Sequence, residues 1–313
     1  MSLVPDGERE SEESPLTGVV VGFDGSATSL LALEWAAGAA AAYGVPVTLL
    51  QAHPDVEGEV VEVVIDDPNA LELLGEANAQ VLEVAAERVA ADHPGLEVKA
   101  VVHPDSPVQA LLDASKTADV IVLGSRGLEG FRGLLLGSTT MNVTPHAHCP
   151  VVVLYQPDEA TEAAKASARH PNEVVVGYDG SVSADQALAF ALRHAEATGL
   201  GVTVVLVSKG KARGVPAQPI TADSAGVSEA VLELLREAMQ VADTQAAVPV
   251  SYLHAVGRPA GVLIEEAAGA ALAVVGARGR GGFAGLVLGS VGLQMLIHAE
   301  CPVAVVHAAR GSD

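Results

Sequence analysis

The segment VVVGFDGS at residues 19–26 returns as VVVGYDGS at residues 174–181, and this duplication constrains the fold more than any other feature of the chain. A fifteen-residue glycine-rich segment, Gly124–Ser138, returns as Gly276–Ser290 with ten positions identical. The run Cys149-Pro150-Val151 returns as Cys301-Pro302-Val303. The offset is 155 for the first motif and 152 for the other two, so the second copy is three residues shorter between them. A period this long is a duplicated domain rather than a solenoid, whose units run roughly 20–50 residues. A length of 313 residues suits two domains of ~100–200 residues each. The expected organisation is an acidic disordered tail over 1–16, a first domain over 17–156, a linker over 157–171 and a second domain over 172–309. The linker is placed there because the stretch is rich in Ala, Glu, Asp and Ser and offers no useful apolar face.

Within each copy, apolar runs bounded by turn residues alternate with helical patterns. In the first copy the pattern predicts strands at Gly18–Phe23, Val47–Ala52, Leu96–Val102, Asp119–Leu123 and Pro150–Leu154. Helices are predicted at Ser26–Tyr43, Asn69–Asp92 and Pro107–Ser115, and from about Ser138 with that serine as N-cap. In the long second helix, Leu71, Leu74, Val81, Leu82 and Val89 are read as one apolar face. Strict β-α alternation, with strands apolar on both faces, implies a parallel sheet covered by helices. The fold class is therefore α/β: two tandem doubly wound domains, each a five-stranded parallel sheet of order 3-2-1-4-5 with helices on both faces.

Open sheets of this kind bind ligands beyond the carboxyl ends of their strands, where the strand order reverses. Order 3-2-1-4-5 puts that crevice between the first and fourth strands. Asp24-Gly25-Ser26 follows the first strand and the Gly124 loop follows the fourth, so the two most similar stretches of the copies meet there. Gly124 and Gly127 permit a tight turn and close approach of backbone amides to a ligand. Gly137-Ser138 opens a helix, whose free amides and partial positive charge suit a phosphate. A carboxylate at Asp24 suits ribose hydroxyls or an adenine amino group instead. Acceptor and anion cradle on opposite sides of one crevice describe a nucleotide site.

Charge bounds the size of the partner. With 39 acidic against 17 basic residues the net charge is −22, which repels polyanions and acidic membrane surfaces. Neither nucleic acid nor membrane is an expected partner, yet a local amide cradle can still hold a small phosphate ligand. The acidic N-terminus lacks the basic start and apolar run of a secretory signal. The longest uncharged stretch, between Glu34 and Gln51, is broken by Gly38, Gly44 and Pro46. Cys149 and Cys301 each begin an apolar strand, which fits buried thiols in a reducing compartment. The expected location is cytoplasmic.

The spacing Gly124-x2-Gly127-x9-Gly137-Ser138 with Asp24, repeated as Gly276, Gly279, Gly289, Ser290 and Asp179, resembles the ATP-binding branch of the universal stress proteins. The resemblance covers the chain from about residue 16 onward. It implies ATP as cofactor, with any magnesium carried by the nucleotide, and one site per domain in a nucleotide-dependent stress regulator. It also implies roles: Asp24 and Asp179 for the nucleoside, and backbone at Ala52 and Val207 for adenine. Gly124, Gly127, Gly137, Ser138 and Thr139 would hold ribose and phosphates in the first copy. Gly276, Gly279, Gly289, Ser290 and Val291 would do so in the second. Arg126 and Arg278, inside the loops, are further phosphate candidates. Ala277 and Val291-Gly292 replace more polar residues, so the second site is expected to bind differently. Fusion of two units resembles an internal version of the family's dimer, with a further homodimer left open.

Other motifs are set aside. Residues 279–284 (GRGGFA) fit a loose dinucleotide fingerprint, but they follow the fourth strand and the first copy has Leu128-Glu129 there. A P-loop sequence is absent. His146, His148 and Cys149 have ligand-like side chains, but the second copy keeps only His298 and Cys301, with Glu300 in place of the second histidine; no metal site is expected. Asp66-Asp67 is read as a solvated turn. A repeated general base or positioned cation facing the phosphates is not found beyond the loop arginines and serines, so no catalytic residue is assigned and at most slow ATP hydrolysis is expected. The alternatives are a slow ATPase or ATP-dependent enzyme of related fold, and a scaffold with vestigial sites.

Overall fold

The computed structural model describes residues 16–52, 68–127, 136–157, 159–210, 217–245, 248–280 and 287–308. Residues 1–15 of the predicted tail and Asp66-Asp67 lie outside these residues, as do Leu128 and Glu129, whereas Leu16 is described and packs against the core. The first half runs β1 (Val19–Gly22), α1 (Ala27–Tyr43), β2 (Val47–Ala52), α2 (Pro68–Asp92), β3 (Val98–His103), α3 (Pro107–Ala114), β4 (Val120–Gly124), α4 (Ser138–His146) and β5 (Val151–Leu154). The segment expected to link the halves carries α5 (Glu159–Ala166). The second half runs β6 (Glu173–Tyr178), α6 (Val182–Thr198), β7 (Gly201–Lys209), β8 (Gln218–Pro219), α7 (Glu229–Gln245), β9 (Val250–Gly257), α8 (Pro259–Glu266), β10 (Leu272–Gly276), α9 (Ser290–His298) and β11 (Val303–Val306).

Local chemistry sets these elements. Branched side chains suit a pleated sheet buried on both faces, and Val19, Val20, Val21, Val151, Val152 and Val153 are fully inaccessible. Helix α1 starts at Ser26, whose hydroxyl accepts from the Ser29 amide at 3.2 Å. It stops at Gly44, which takes the left-handed conformation (φ 68°) that a side chain would oppose. Helix α6 repeats both devices with Ser181 and Gly199. Alanines at 32, 36, 37 and 40 let α1 lie close on the sheet.

The strands form one eleven-stranded sheet of order β3-β2-β1-β4-β5-β11-β10-β6-β7-β9-β8. Each half has the expected 3-2-1-4-5 parallel arrangement. Strands β5 and β11 then pair antiparallel, Val152 opposite Ala304, and fuse the halves through a pseudo-twofold edge contact. The second half departs from an all-parallel sheet by one element: the two-residue β8 pairs antiparallel with β9. Pro219 is tolerated there because an edge strand leaves one row of backbone groups unpaired.

Above this joint α1 packs on α6 through aromatic side chains. The His194 ring lies between Trp35 (centroids 5.4 Å apart) and Phe190 (6.2 Å), and its Nδ1 is 2.7 Å from the Tyr43 hydroxyl. Burial pushes the His194 imidazole down to about 4, because a charged ring has no water there. The Tyr155 hydroxyl donates across the joint to the Leu296 carbonyl at 2.9 Å. A cavity of about 330 Å³ sits at this joint among Trp35, Tyr155, Ala270 and Cys301, and is lined by none of the predicted site residues. Cys149 and Cys301 are free, buried thiols, as expected, and burial raises both to about 12. No helix among the described residues is long and apolar enough to cross a membrane.

Candidate functional site

In each half, the chain leaves the first strand toward one neighbour and enters the fourth strand on the other side, so the strand order reverses between them. Beyond their carboxyl ends lie Asp24 with the loop after β4, and Asp179 with the loop after β10. The acidic side chains are positioned by their own turns. Asp24 Oδ1 accepts from the Ser26 amide at 2.9 Å, and Asp179 Oδ1 accepts from the Ser181 amide at 3.1 Å.

The glycines also have a local reason within the protein itself. A Cβ on Gly124 would lie 2.7 Å from the backbone carbonyl carbon of Thr28, and one on Gly276 would lie 2.8 Å from that of Ser183. These residues let the first turn of α1 or α6 press against the end of the neighbouring strand. A Cβ on Gly127 would meet Asp24 Oδ2 at 2.6 Å, and one on Gly279 would meet Asp179 Oδ2 at 2.5 Å. Their backbones approach the carboxylate itself. The missing side chains thus let the crevice floor close upon itself.

Hydroxyls complete that floor, and sequence reasoning missed them. Thr28 Oγ1 donates to the Arg126 carbonyl and Ser183 Oγ donates to the Arg278 carbonyl. Ser26 Oγ and Ser181 Oγ reach the same carbonyls at 3.4 and 3.1 Å. The signal was present, since Ser26-x-Thr28 and Ser181-x-Ser183 both keep a hydroxyl two residues beyond the cap. Arg126 and Arg278 dock through their backbones; both residues are exposed.

On the far side of the loop, Gly137 and Gly289 are the N-caps of α4 and α9, and neither helix has a side-chain capping bond. The expected cap, Ser138, is instead the first helical residue, as is Ser290. Both serines are exposed, while Thr139 and Val291 are half-buried. By contrast α1, α3 and α6 are each capped by a serine hydroxyl. A glycine cap leaves the first-turn amides without an internal acceptor, which is the arrangement that holds an anion. The Gly137 and Gly289 amides themselves bond to the Ser125 and Ala277 carbonyls at 2.7 Å, fixing each loop to its helix. Thr140 Oγ1 adds a 2.9 Å bond to the Gly124 carbonyl. Gly292 stands in that place in the second half.

Ala52 ends β2 opposite His103, and Val207 lies in β7 opposite Ala255. Both are half-buried, on the side of the first strand away from the glycine loop. The predicted residues therefore gather at the carboxyl edge of each half: the acidic turn in the middle, Ala52 or Val207 to one side, the loop and uncapped helix to the other. A cavity of about 310 Å³ borders the second loop, lined by Ser181, Ser183, Arg278, Gly279, His307 and, from the first half, Pro145. That volume falls in the range of small-ligand sites, ~300–1,000 Å³. Among the described residues no group of three or more His, Cys, Asp or Glu could hold a metal ion.

Comparison with known proteins agrees with the tandem fold. The family model described as the universal stress protein family matches residues 17–154 and again 171–307. A universal stress protein of Mycolicibacterium smegmatis is 32% identical over 299 residues, covering 92% of this chain and 96% of the relative. One from Mycobacterium tuberculosis is 33% identical over 300 residues, covering 92% and 96%. Among solved structures, a universal stress protein from Archaeoglobus fulgidus aligns over 93% of this chain and 98% of its own, with a TM-score of 0.65 at 23% identity.

Proposed function

The chain belongs to the universal stress protein family, and from that premise we propose that each half binds one adenine nucleotide, with occupancy serving as a regulatory signal in the stress response. Regulation, not turnover, is the output. The observation that carries this reading is the pairing, twice in one chain, of an acidic turn with an uncapped helix. Asp24 lies against Gly127, and Gly127 in turn lies near Gly137, the cap of α4; Asp179 lies against Gly279, which lies near Gly289, the cap of α9. The carboxylate is an acceptor for the nucleoside, with the Ala52 or Val207 backbone beside it for the base. The amides of Ser138, Thr139 and their counterparts Ser290 and Val291 are donors for phosphate, and their partial positive charge acts locally against a net charge of −22. Arg126 and Arg278, exposed next to the cradle, can add charge-assisted bonds to phosphate oxygens. ATP is the best fit to this donor set, and magnesium would arrive with it.

Denaturing freshly purified protein and resolving the supernatant by chromatography tests the assignment. Adenine nucleotide, up to two equivalents per chain, is expected. A supernatant free of nucleotide, together with no binding of added ATP, contradicts it.

A further inference from the structure

The two crevices share a floor but not a rim. In the second half, Arg280 follows Gly279 and its amide donates to Asp179 Oδ2 at 3.0 Å. Its side chain crosses over Gly180 and pairs with Glu237 of α7 at 3.1 Å. Gly180 has φ 71°, and any Cβ there would collide with the Arg280 guanidinium, so the glycine leaves the arginine its path. The guanidinium thus spans the nucleoside side of the crevice, tying the loop after β10 to the helix opposite.

The first half cannot build this tie. The repeat puts Leu128 at the position of Arg280. Val81 stands against Gly25 as Leu234 stands against Gly180, so Val84, one turn on, stands where Glu237 does. Val81 and Val84 are 49% and 59% exposed, an apolar rim where the second half has an ion pair. Even the single mismatch in the eight-residue motif follows the trend. The Tyr178 hydroxyl donates to Asp185 at 2.7 Å, whereas Phe23 and the exposed Leu30 occupy those places in the first half.

We propose that Arg280 makes the second half discriminate adenine nucleotides by phosphate number, with Glu237 as the internal competitor that holds the arginine until phosphate takes it. This rests on the nucleotide reading above and deepens it. Arg280 follows Gly279, the loop residue that lies near the α9 cap Gly289, and its long side chain can exchange the Glu237 carboxylate for a phosphate oxygen. Phosphate is the stronger partner, since it carries more charge and accepts bidentate bonds from a guanidinium. The exchange frees α7 from the loop, so only a phosphate-rich nucleotide opens the tie. The first half, with its apolar rim, takes nucleotides with weaker dependence on phosphate number.

The test uses the full chain carrying Gly127→Val, so that the second half is read alone, with ATP, AMP and adenosine titrated in turn. Arg280→Leu, which installs the first half's residue, should reduce the ATP-to-adenosine affinity ratio about ten- to hundredfold, as expected for losing one hydrogen bond to a charged group. Glu237→Gln should raise ATP affinity about two- to fivefold by removing a competitor, leaving adenosine unchanged. Binding of all three ligands with a ratio unmoved by Arg280→Leu overturns this proposal while leaving the nucleotide reading intact. A fall in ATP affinity with Glu237→Gln overturns the competitor role. No binding of any of the three, in this background and in the native chain, overturns both readings together.

Discussion

The two halves of the chain answer the same structural problem with the same backbone and different side chains. At the crevice floor the solutions coincide: Thr28 and Ser183 both reach a loop carbonyl, Gly127 and Gly279 both yield to a carboxylate, and Gly137 and Gly289 both leave a helix uncapped. At the rim they diverge, with Phe23, Leu30 and Val84 on one side and Tyr178, Asp185 and Glu237 on the other. The floor is held by side chains that meet the loop backbone at Arg126 and Gly127, and again at Arg278 and Gly279. The rim is held by contacts between side chains, which can change in pairs. Duplication has kept what the backbone demands and varied what it does not.

The sharpest way to break this comparison is to overfill the floor. Gly124→Val and Gly276→Val each force a side chain against helix backbone, and each should cost about 3 kcal/mol or more, read by chemical denaturation. The losses should be similar in the two halves, because the clash is the same. A clearly smaller loss in one half would show that its floor can yield and that the symmetry is superficial.

The joint is asymmetric, and pH exposes it. His194 has no counterpart in α1, where the repeat places Ala39. Its pKa is about 4 folded, against an ordinary 6.5, so the unfolded chain binds the proton more readily. Its contribution is complete above about pH 6.5 and is lost as the pH falls toward 4, a change of roughly 3 kcal/mol. Thermal unfolding from pH 7 to 4.5 should show His194→Phe losing less stability than the native chain. Parallel pH profiles would remove His194 from the account of the joint.

A smaller and opposite pair of effects sharpens the reading of the caps. Gly137→Asp supplies the missing acceptor, so the helix should gain roughly a few tenths of a kcal/mol. It should also lose phosphate affinity in the first half, since the new carboxylate occupies the amides. Gly289→Asp should do the same in the second. A stabilised variant with undiminished ATP binding would separate the helix ends from the site.

Much of this was legible in the sequence because valine runs, serine caps and closing glycines act locally. The strand order followed from alternation, and the crevice from the strand order. What escaped depended on partners distant in the chain. Glycine announces a missing side chain, not the neighbour that needs the space, so the packing of Thr28 against Gly124 could not be read from the sequence. Ser138 looks like a cap because serine commonly is one, but glycine is also permitted there and the turn falls one residue earlier. Val81 and Leu82 are adjacent and cannot both face the core; Leu82 is buried and Val81 is on the rim. The β5–β11 pairing and the two-residue β8 carry no periodic signal at all.

The central claim, one nucleotide per half, is tested most directly by isothermal titration of the full chain with magnesium-ATP. Two equivalents are predicted for the native protein, one for Gly127→Val or for Gly279→Val, and none for the double variant with its fold intact by circular dichroism. Two equivalents still bound by a folded double variant, or none bound by the native chain, would contradict it.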